Sequence, residues 1–556
     1  MDSPSSTVNF ASEESSECSK KQLKKEALKA EKLRRKNEKA ATSDAASAKL
    51  AEEDPLSANY GDVPFEDLQS KAVTGWMRTK IFSLNAEFAD TTVLIGGHVH
   101  TMRAVGEKMF FLVLRQMGAT VQCVVTVAEG LVSAQMIQFC KSLTRESIVD
   151  VVGVVTIPTE PIKGTTQQVE IQVRKLYCID RAIPNLPINI EDAARSEEDI
   201  KEAEKAGHKL VRVNQDTQLN CRILDLRTPA NQAIFRLKYS VIKFFRDFLD
   251  SEDFMEIQTP KLIAGASEDG ASVFQLDYFG QPAYLAQSPQ LHMQMAICAG
   301  LGRIFVTGPV FKAKDSYTDR HQCEYIGLDV EMEIYEHYFE VLDIVDRLFV
   351  SMFDYLNEKC KELLDAINKQ FPFKPLKYLQ KTLLLTFDEG VKMLKDTGIE
   401  IDPFEDLNTE SERTLGRLVL EKYETEFYIL HRYPLAVRPF YTMPCNDNPL
   451  YSNSFDVFIR GEEVISGAQR LHVADLLAAR AEVCGVDATT ISTYVDWFRY
   501  GAPLHGGFGA ELERVVMLFC GLSNIRQATL FPQDPHIPVP YEASTVCQLY
   551  PDDHTF

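Results

Sequence analysis

The sequence predicts an α+β protein in which a small five-stranded β-barrel precedes one large α+β domain. Residues 93–179 read as short strands with one helix among them, and residues 219–535 alternate helical with extended stretches. The chain has 556 residues, 45% of them hydrophobic and 25% charged, which is typical of a globular protein of roughly three or four domains. A collagen, a disulfide-stapled mini-protein and a wholly disordered chain are therefore excluded.

The first residues indicate an intracellular location. Residues 1–19 contain four acidic side chains and lack the apolar stretch of a presequence. The twelve cysteines form no C-x-x-C pair and no zinc-type cluster, which is typical of reduced thiols. Apolar runs fall far short of the ~18 residues that a membrane span needs. We therefore expect a cytoplasmic protein without membrane contact.

Charge is distributed unevenly along the chain. The net charge is −21, yet residues 20–39 hold ten lysines and arginines against three glutamates, so this segment is +7 and the remainder −28. Apolar residues from Leu23 to Leu33 recur at helical spacing, which predicts a basic helical arm. Such a segment is either a solvated charged helix or a disordered arm, or else a basic helix that binds phosphates without reading sequence. An Ala/Ser-rich linker, residues 40–58, follows it.

The barrel is predicted from the order of its elements. Three strands (93–102, 110–116, 119–127), a helix (132–143) and two more strands (148–158, 169–179) form the order of an OB-fold, a common oligonucleotide-binding barrel. Within it a cation, an aromatic ring and an amide suit contacts to unstacked bases; they belong to Arg103, Phe111 and Gln122. Phe111 starts an apolar strand, so it could equally be a core residue.

The large domain follows a charged segment, residues 183–216, that suits a hinge. Its apolar periodicity predicts a helix over 234–249, and extended runs occur at 303–311, 325–334, 454–459 and 464–469.

Five segments of this domain carry recognisable motifs. They are Phe254–Leu262 (FMEIQTPKL); Gly308–Phe311 (GPVF) continuing through Arg320 and His321 to Gly327–Met332 (GLDVEM); Gly506–Gly509 (GGFG) with Leu512–Met517 (LERVVM); Gln287–Leu291 (QSPQL); and Gly461–Arg470 (GEEVISGAQR). The first three resemble motifs 1, 2 and 3 of class II aminoacyl-tRNA synthetases. The last two resemble the signatures of the aspartate-specific enzymes of the eukaryotic cytosol.

This resemblance implies a class II catalytic domain, an antiparallel sheet flanked by helices, behind an OB-fold anticodon-binding domain. The domains would be an extension and linker (1–60), the OB-fold (61–185), a hinge (186–220), the catalytic domain (221–535) and a tail of unknown role (536–556). The implied activity is ATP-dependent activation of L-aspartate and transfer to tRNA(Asp), with Mg²⁺ as cofactor and a homodimer formed through motif 1.

The resemblance also assigns roles to residues by position. Catalytic roles fall to Lys312, Arg470 and Arg514. Aspartate would contact Ser267, Glu268, Gln290, Asp329 and Arg470. ATP would contact Lys312, Lys314, Arg320, His321, Glu463 and Arg514. Glu463 and Ser466 would hold the metal. The anticodon and the tRNA backbone would meet Arg103, Phe111, Gln122, Lys20, Lys21, Lys24 and Lys25.

Several positions depart from the family pattern around the implied active site. Lys312 stands for an arginine and loses its planar fork, and Lys314 stands for an acid and reverses a charge. Glu511 replaces a glycine where ATP would approach the backbone, and Met293 replaces a lysine for the aspartate side chain. Three further departures are Asp269 for glycine, Asp319 for histidine and Gln533 for arginine.

These departures leave three interpretations open. The first is a working aspartate–tRNA ligase, with activity impaired at Met293, Lys312, Lys314 and Glu511. The second is a catalytically degenerate tRNA-binding paralogue. The third is the related asparaginyl enzyme, since a lost lysine suits a neutral substrate, although the QSPQ and GAQR signatures disfavour it.

Overall fold

The computed structural model describes residues 54–69, 73, 75–264, 273–313, 315, 317–486 and 489–535. The basic arm and the C-terminal tail lie outside these residues. By internal packing the chain divides into two compact units, Met1–Pro187 and Ile188–Phe556. No helix among the described residues is long and apolar enough to cross a membrane.

The first unit contains the predicted barrel. Its strands are β1 (Tyr60–Asp62), β2 (Thr92–Val105), β3 (Met109–Gln116), β4 (Ala119–Thr126), β5 (Ile148–Thr156) and β6 (Glu170–Asp180), with helices α1 (Phe65–Leu68) and α2 (Ala134–Ser142). The sheet order is β1-β6-β4-β3-β2-β5, and β5 also pairs with β6, which closes the barrel. The predicted OB-fold is thereby confirmed, with β1 as an additional short strand.

The barrel forms because its strands alternate between apolar and polar side chains. On β3 the side chains of Phe110, Leu112 and Leu114 are buried, whereas Phe111 and Val113 between them face the opposite side. The inward residues of all the long strands and of α2 form one hydrophobic core. Phe111 is therefore not a core residue.

The second unit begins with four short helices and one long one. These are α3 (Ile190–Ala193), α4 (Glu197–Lys205), α5 (Gln215–Asn220), α6 (Arg222–Asp225) and α7 (Pro229–Ser251). Helix α7 contains the predicted helix 234–249; Thr228 caps its N-terminus and a proline occupies its first turn.

An eight-stranded sheet forms the centre of this unit. Its strands are β7 (Met255–Glu256), β11 (Arg303–Phe311), β12 (Glu324–Glu333), β13 (Leu383–Thr386), β14 (Phe427–His431), β15 (Ser454–Ile459), β16 (Glu462–Gln469) and β17 (His505–Glu511). The order is β13-β14-β15-β16-β17-β12-β11-β7, antiparallel except for the β13–β14 and β7–β11 pairs at the edges. The predicted antiparallel sheet is confirmed, as are the four extended runs.

The remaining elements surround this sheet. A three-stranded sheet consists of β8 (Leu262–Ile263), β9 (Gln275–Tyr278) and β10 (Gln281–Leu285). The other helices are α8 (Gln290–Cys298), α9 (Phe339–Lys359), α10 (Lys361–Gln370), α11 (Phe387–Lys395), α12 (Thr409–Tyr423), α13 (Ala474–Val483), α14 (Ser492–Phe498) and α15 (Leu512–Phe519).

Strand β12 shows how the sheet separates core from site. Leu328, Val330 and Met332 join the apolar core that the sheet forms with α7, α9 and α15. Asp329 and Glu331 alternate with them and therefore lie on the other face. That face carries the polar groups of the cavity described next.

Candidate active site

A cavity of about 570 Å³ lies over the polar face of the central sheet. Every predicted site residue of this unit that the structure describes lines it: Gln290, Lys312, Arg320, His321, Asp329, Glu463, Ser466, Arg470 and Arg514. The sequence separates these residues by more than 200 positions, and the pairing of β12, β16 and β17 brings them together.

A buried polar network occupies one end of the cavity. The Arg470 guanidinium donates from Nε and Nη2 to the two carboxylate oxygens of Glu331, each at 3.0 Å, and from Nη2 to Gln290 Oε1 at 2.8 Å. Gln290 Nε2 in turn donates to Asp329 Oδ1 at 3.1 Å. All four side chains are at most 6% exposed. The positive guanidinium and the negative carboxylates thus lie where water is largely excluded, which strengthens the interactions between them.

The backbone positions this network through three separate elements. Asp329 and Glu331 are two residues apart on β12, Gln290 is the first residue of α8, and Arg470 directly follows β16. A Cβ atom on Gly507 of β17 would lie 2.3 Å from Glu331 Oε2 and 2.1 Å from the Val330 carbonyl. The glycine at 507 is therefore required for Glu331 to reach Arg470.

Cationic side chains gather at the other end. Arg514, in the first turn of α15, donates to the backbone carbonyls of Glu463 (3.1 Å) and Arg320 (3.3 Å). Its Nη2 also lies 3.0 Å from Glu511 Oε2. Burial opposes the charge of Arg514, but the carboxylates of Glu511 and Glu463 outweigh this effect and raise its pKa. Glu511 thus points into the cavity and neutralises part of its positive charge.

Lys312 is held by an aromatic neighbour. Its Nζ lies 5.6 Å from the ring centre of Tyr325. Interaction with Tyr325 raises the pKa of Lys312 against the effect of burial, and Glu511 and Glu463 add to the rise. Burial raises the pKa of Tyr325 to about 12, with Lys312 opposing it. Lys312 is therefore a fixed positive charge.

Carboxylate and hydroxyl oxygens line the wall beneath these cations. Arg438 donates to Asp456 Oδ1 (2.9 Å) and to Ser466 Oγ (3.1 Å). Withdrawal from water raises the pKa of Glu463, and the nearby Asp456 carboxylate adds to the rise. Within the described ranges, no three His, Cys, Asp or Glu side chains cluster tightly enough to hold a metal. The donor set still fits Mg²⁺, which commonly binds one or two protein carboxylates and completes its shell with substrate phosphates and water.

The departures from the family pattern occupy different surroundings. Met293 is fully buried in a small apolar cluster with Ile297, Ile304 and Val306, and does not line the cavity. Asp319 accepts a hydrogen bond from Asn524 Nδ2 at 2.7 Å. Gln533 contributes its backbone carbonyl to the Cys323 amide. The described residues do not include Ser267, Glu268, Asp269, Lys314, Lys20, Lys21, Lys24 and Lys25.

In the first unit the three predicted base-reading residues share one face of the sheet. Arg103 and Phe111 are cross-strand partners on β2 and β3, with the guanidinium carbon 5.1 Å from the ring centre. Gln122 on β4 lies opposite Val113, two residues after Phe111, and its amide donates to Glu170 Oε1 at 2.6 Å. A half-buried ring, a cation and an amide thus stand side by side.

Comparison with known proteins agrees with both units. Residues 214–535 match the tRNA synthetases class II (D, K and N), and residues 93–179 match the OB-fold nucleic acid binding domain. The chain is 62% identical over 501 residues to aspartate–tRNA ligase 2, cytoplasmic, of Arabidopsis thaliana, covering 88% of this chain and 90% of that protein. The chain belongs to the aspartate–tRNA ligase family.

Solved structures of the class II synthetases resemble the fold over most of its length. The aspartyl tRNA synthetase from Entamoeba histolytica superimposes with a TM-score of 0.79 at 42% identity, covering 87% of this chain and 96% of that one. The asparaginyl-tRNA synthetase from Pyrococcus horikoshii, complexed with asparaginyl-adenylate, gives 0.71 at 28% identity, covering 84% and 100%. The chain is thus more similar in sequence to this aspartyl enzyme than to this asparaginyl enzyme, which agrees with the aspartate-specific signatures in its sequence.

Several residues of the site were not predicted from the sequence. Glu331, which belongs to the buried network, could have been found, because it lies two residues from Asp329 in a predicted strand and so shares its face. Tyr325, Glu412 and Arg438 line the cavity, but no local pattern distinguishes them from ordinary surface or core residues. Only the packing of distant elements brings them to the site.

The Arg470–Glu331 pair leads to a stability prediction. Glu331→Gln leaves the Arg470 guanidinium buried without its counter-charge, which should cost about 3–5 kcal/mol of local unfolding free energy. Hydrogen exchange of peptides from β12 and β17 measures this loss in the whole chain. Glu333→Gln, at the half-buried end of the same strand, is the matched control and should change the exchange little. Equal effects of the two substitutions would contradict a special role for the pair.

Proposed function

We propose that this chain activates L-aspartate with ATP and transfers it to tRNA(Asp) in the cytoplasm. One observation carries the proposal beyond family membership. A single cavity is lined by a buried arginine–carboxylate–amide network at one end and by three basic side chains, Lys312, Arg320 and Arg514, at the other. Its volume of about 570 Å³ is that of a small-molecule site.

The buried network suits the amino acid. Arg470 would pair with the side-chain carboxylate of aspartate and Asp329 with its ammonium group, while Gln290 links the two residues. Ser267 and Glu268 would complete the contacts. Glu331 and Gln290 together fix the orientation of the Arg470 guanidinium before the amino acid arrives.

The basic end suits the nucleotide. In the first step a carboxylate oxygen of aspartate attacks the α-phosphorus of ATP, the bond to the bridging oxygen breaks, and pyrophosphate leaves. The protein mainly aligns the reactants and offsets their negative charge.

Lys312 and Arg514 would act at the phosphates as catalytic groups, with Arg320, His321 and Lys314 as further ATP contacts. Glu463 and Ser466 would hold Mg²⁺, which neutralises phosphate charge when bound. A ribose hydroxyl of the tRNA then attacks the aspartyl carbonyl carbon, and AMP leaves.

One observation favours a second candidate, a degenerate paralogue that binds tRNA without ligase activity. Glu511 lies 3.0 Å from Arg514 and adds negative charge near Lys312. ATP must therefore approach cations that already have an internal counter-ion. Losing one preorganised donor costs roughly 10² to 10³ in rate, and Lys312, Lys314 and Met293 are further departures.

Pyrophosphate exchange distinguishes the candidates. We expect the chain to show aspartate-dependent ATP–pyrophosphate exchange, at a rate at least about a hundredfold below that of a variant carrying Met293→Lys, Lys312→Arg, Lys314→Glu and Glu511→Gly. Because Met293 is buried among apolar side chains, a variant that omits Met293→Lys is measured beside it, which separates misfolding from chemistry. Comparable rates for parent and variants would refute impairment. Exchange no higher than without enzyme would favour the degenerate paralogue.

We propose that both the barrel and the arm bind tRNA. Arg103, Phe111 and Gln122 would read anticodon bases, because a ring with an adjacent cation is a stacking platform. Lys20, Lys21, Lys24 and Lys25 in the arm would contact phosphates, which gives affinity without sequence preference.

The two contributions should differ in salt dependence. Removing residues 1–40 should weaken tRNA binding most at low salt and flatten the slope of log affinity against log salt. Phe111→Ala should weaken binding to tRNA(Asp) by about 1–3 kcal/mol with an unchanged slope. Filter binding across a salt series measures both. An unchanged slope after truncation would show that the arm makes no phosphate contacts.

We also propose that the chain is divided into domains at residues 1–60, 61–185, 186–220, 221–535 and 536–556.

We further propose that two copies of the chain form a homodimer through motif 1. The support for the dimer is apolar exposure around motif 1. Tyr239 on α7, Met255 on β7 and Leu262 on β8 are each at least 47% exposed.

Sedimentation equilibrium tests the dimer. The parent chain should have twice the mass of one chain, and Met255→Glu should weaken self-association at least about tenfold by placing a charge in an apolar contact. Val483→Glu adds the same charge at an exposed valine of α13 and serves as control. A monomeric parent, or equal effects of both substitutions, would contradict the proposal.

A further inference from the structure

The guanidinium of Arg320 is held by a helix that is distant in sequence. Arg320 lies in the loop between β11 and β12, where its carbonyl accepts a hydrogen bond from Arg514. Its Nη1 donates to Glu412 Oε2 at 3.3 Å, and its Nη2 donates to Thr409 Oγ1. Both acceptors belong to the first turn of α12. Two of the five N–H groups of a guanidinium are thereby committed to α12.

Helix α12 is itself docked rigidly against the β15–β16 turn. A Cβ atom on Gly416 would lie 2.4 Å from the Cα of Gly461, so the helix and the turn are in backbone contact. Arg413 donates to Glu462 Oε1 at 2.7 Å from Nη2 and at 3.1 Å from Nε. Glu412 is therefore held in a set position relative to Glu463, the next residue along β16.

Glu412 is an unusual carboxyl group for a helix surface. It is 9% exposed and lines the cavity together with Lys312, Glu463 and Arg514. Burial raises its pKa to about 7, Arg320 opposes the rise, and Asp456 and Asp406 add to it. A buried carboxyl of this kind is costly unless it serves a neighbour. Arg320 is the cation that the structure places beside it.

We propose that Glu412 is a positioning residue that directs the Arg320 guanidinium toward the phosphates of the nucleotide. The proposal rests on the proposed function, because it takes the basic end of the cavity as the phosphate site. An arginine side chain loses rotamer entropy when it is fixed. Glu412 and Thr409 fix the Arg320 side chain before the nucleotide arrives, so phosphate binding does not have to offset this loss of entropy. Glu412 itself touches no reacting atom.

Equilibrium binding of MgATP and of adenosine to the full chain tests this role. Glu412→Gln keeps the shape of the side chain and removes its charge. We expect it to raise the Kd for ATP about tenfold and to leave the Kd for adenosine unchanged, since only ATP carries phosphates. Glu410→Gln makes the same chemical change at an exposed residue in the same helical turn and should alter neither Kd. A merely structural defect would weaken both nucleotides together.

A double-mutant cycle tests whether Glu412 acts through Arg320. Arg320→Gln alone should lose at least as much ATP affinity as Glu412→Gln, and the double variant should lose no more than Arg320→Gln alone. Additive losses would overturn the proposal, as would unchanged or tighter ATP binding by Glu412→Gln, or an equal loss of adenosine binding. Since no bond is made or broken, a chain inactive in pyrophosphate exchange still gives a result. A parent chain that binds no ATP would overturn this proposal and the proposed function together.

Discussion

The buried ion pair between Arg470 and Glu331 determines how the polar end of the cavity is arranged. It joins the residue after β16 to Glu331, near the C-terminal end of β12, and through Gln290 it orients Asp329 and the start of α8. Buried charges of this kind cost more than they gain in stability unless their geometry and hydrogen bonds are satisfied. Here they are satisfied because β17 brings a glycine, Gly507, against the Glu331 carboxylate. The network is thus a product of strand pairing, and any change that moves β17 against β12 disturbs it.

The opposite end of the cavity is governed by charge rather than by close packing. Lys312 and Arg514 remain positive because carboxylates and a phenol surround them, not because water does. Glu511, at the end of β17, supplies a counter-ion for Arg514. The same carboxylate that offsets the charge of Arg514 would oppose the approach of a polyphosphate. The charge of Glu511 would therefore favour the stability of the cavity wall and lower its affinity for ATP.

The third wall of the cavity comes from α12. The contact of Gly416 with Gly461 lets this helix approach the β15–β16 turn closely enough for Glu412 to face Arg320. An arginine on a long loop would otherwise adopt many rotamers. Glu412, 92 residues later in the chain, therefore orients the Arg320 guanidinium by anchoring it to α12.

The sequence by itself determined the class of fold, the order of the barrel strands and the strands that carry the site, because alternation and helical periodicity are local properties. Its motifs also determined the family and the nine described residues that line one cavity. Local pattern could not show that Phe111 lies on the outer face beside Arg103, since both interpretations fit an apolar strand. Nor could it reveal that Glu412 reaches Arg320, that Tyr325 holds Lys312, or that Met293 is buried away from the cavity. Those contacts join residues that are distant in the chain or fall on a face that no local pattern specifies, so only the packing of the sheet, α8 and α12 decided them.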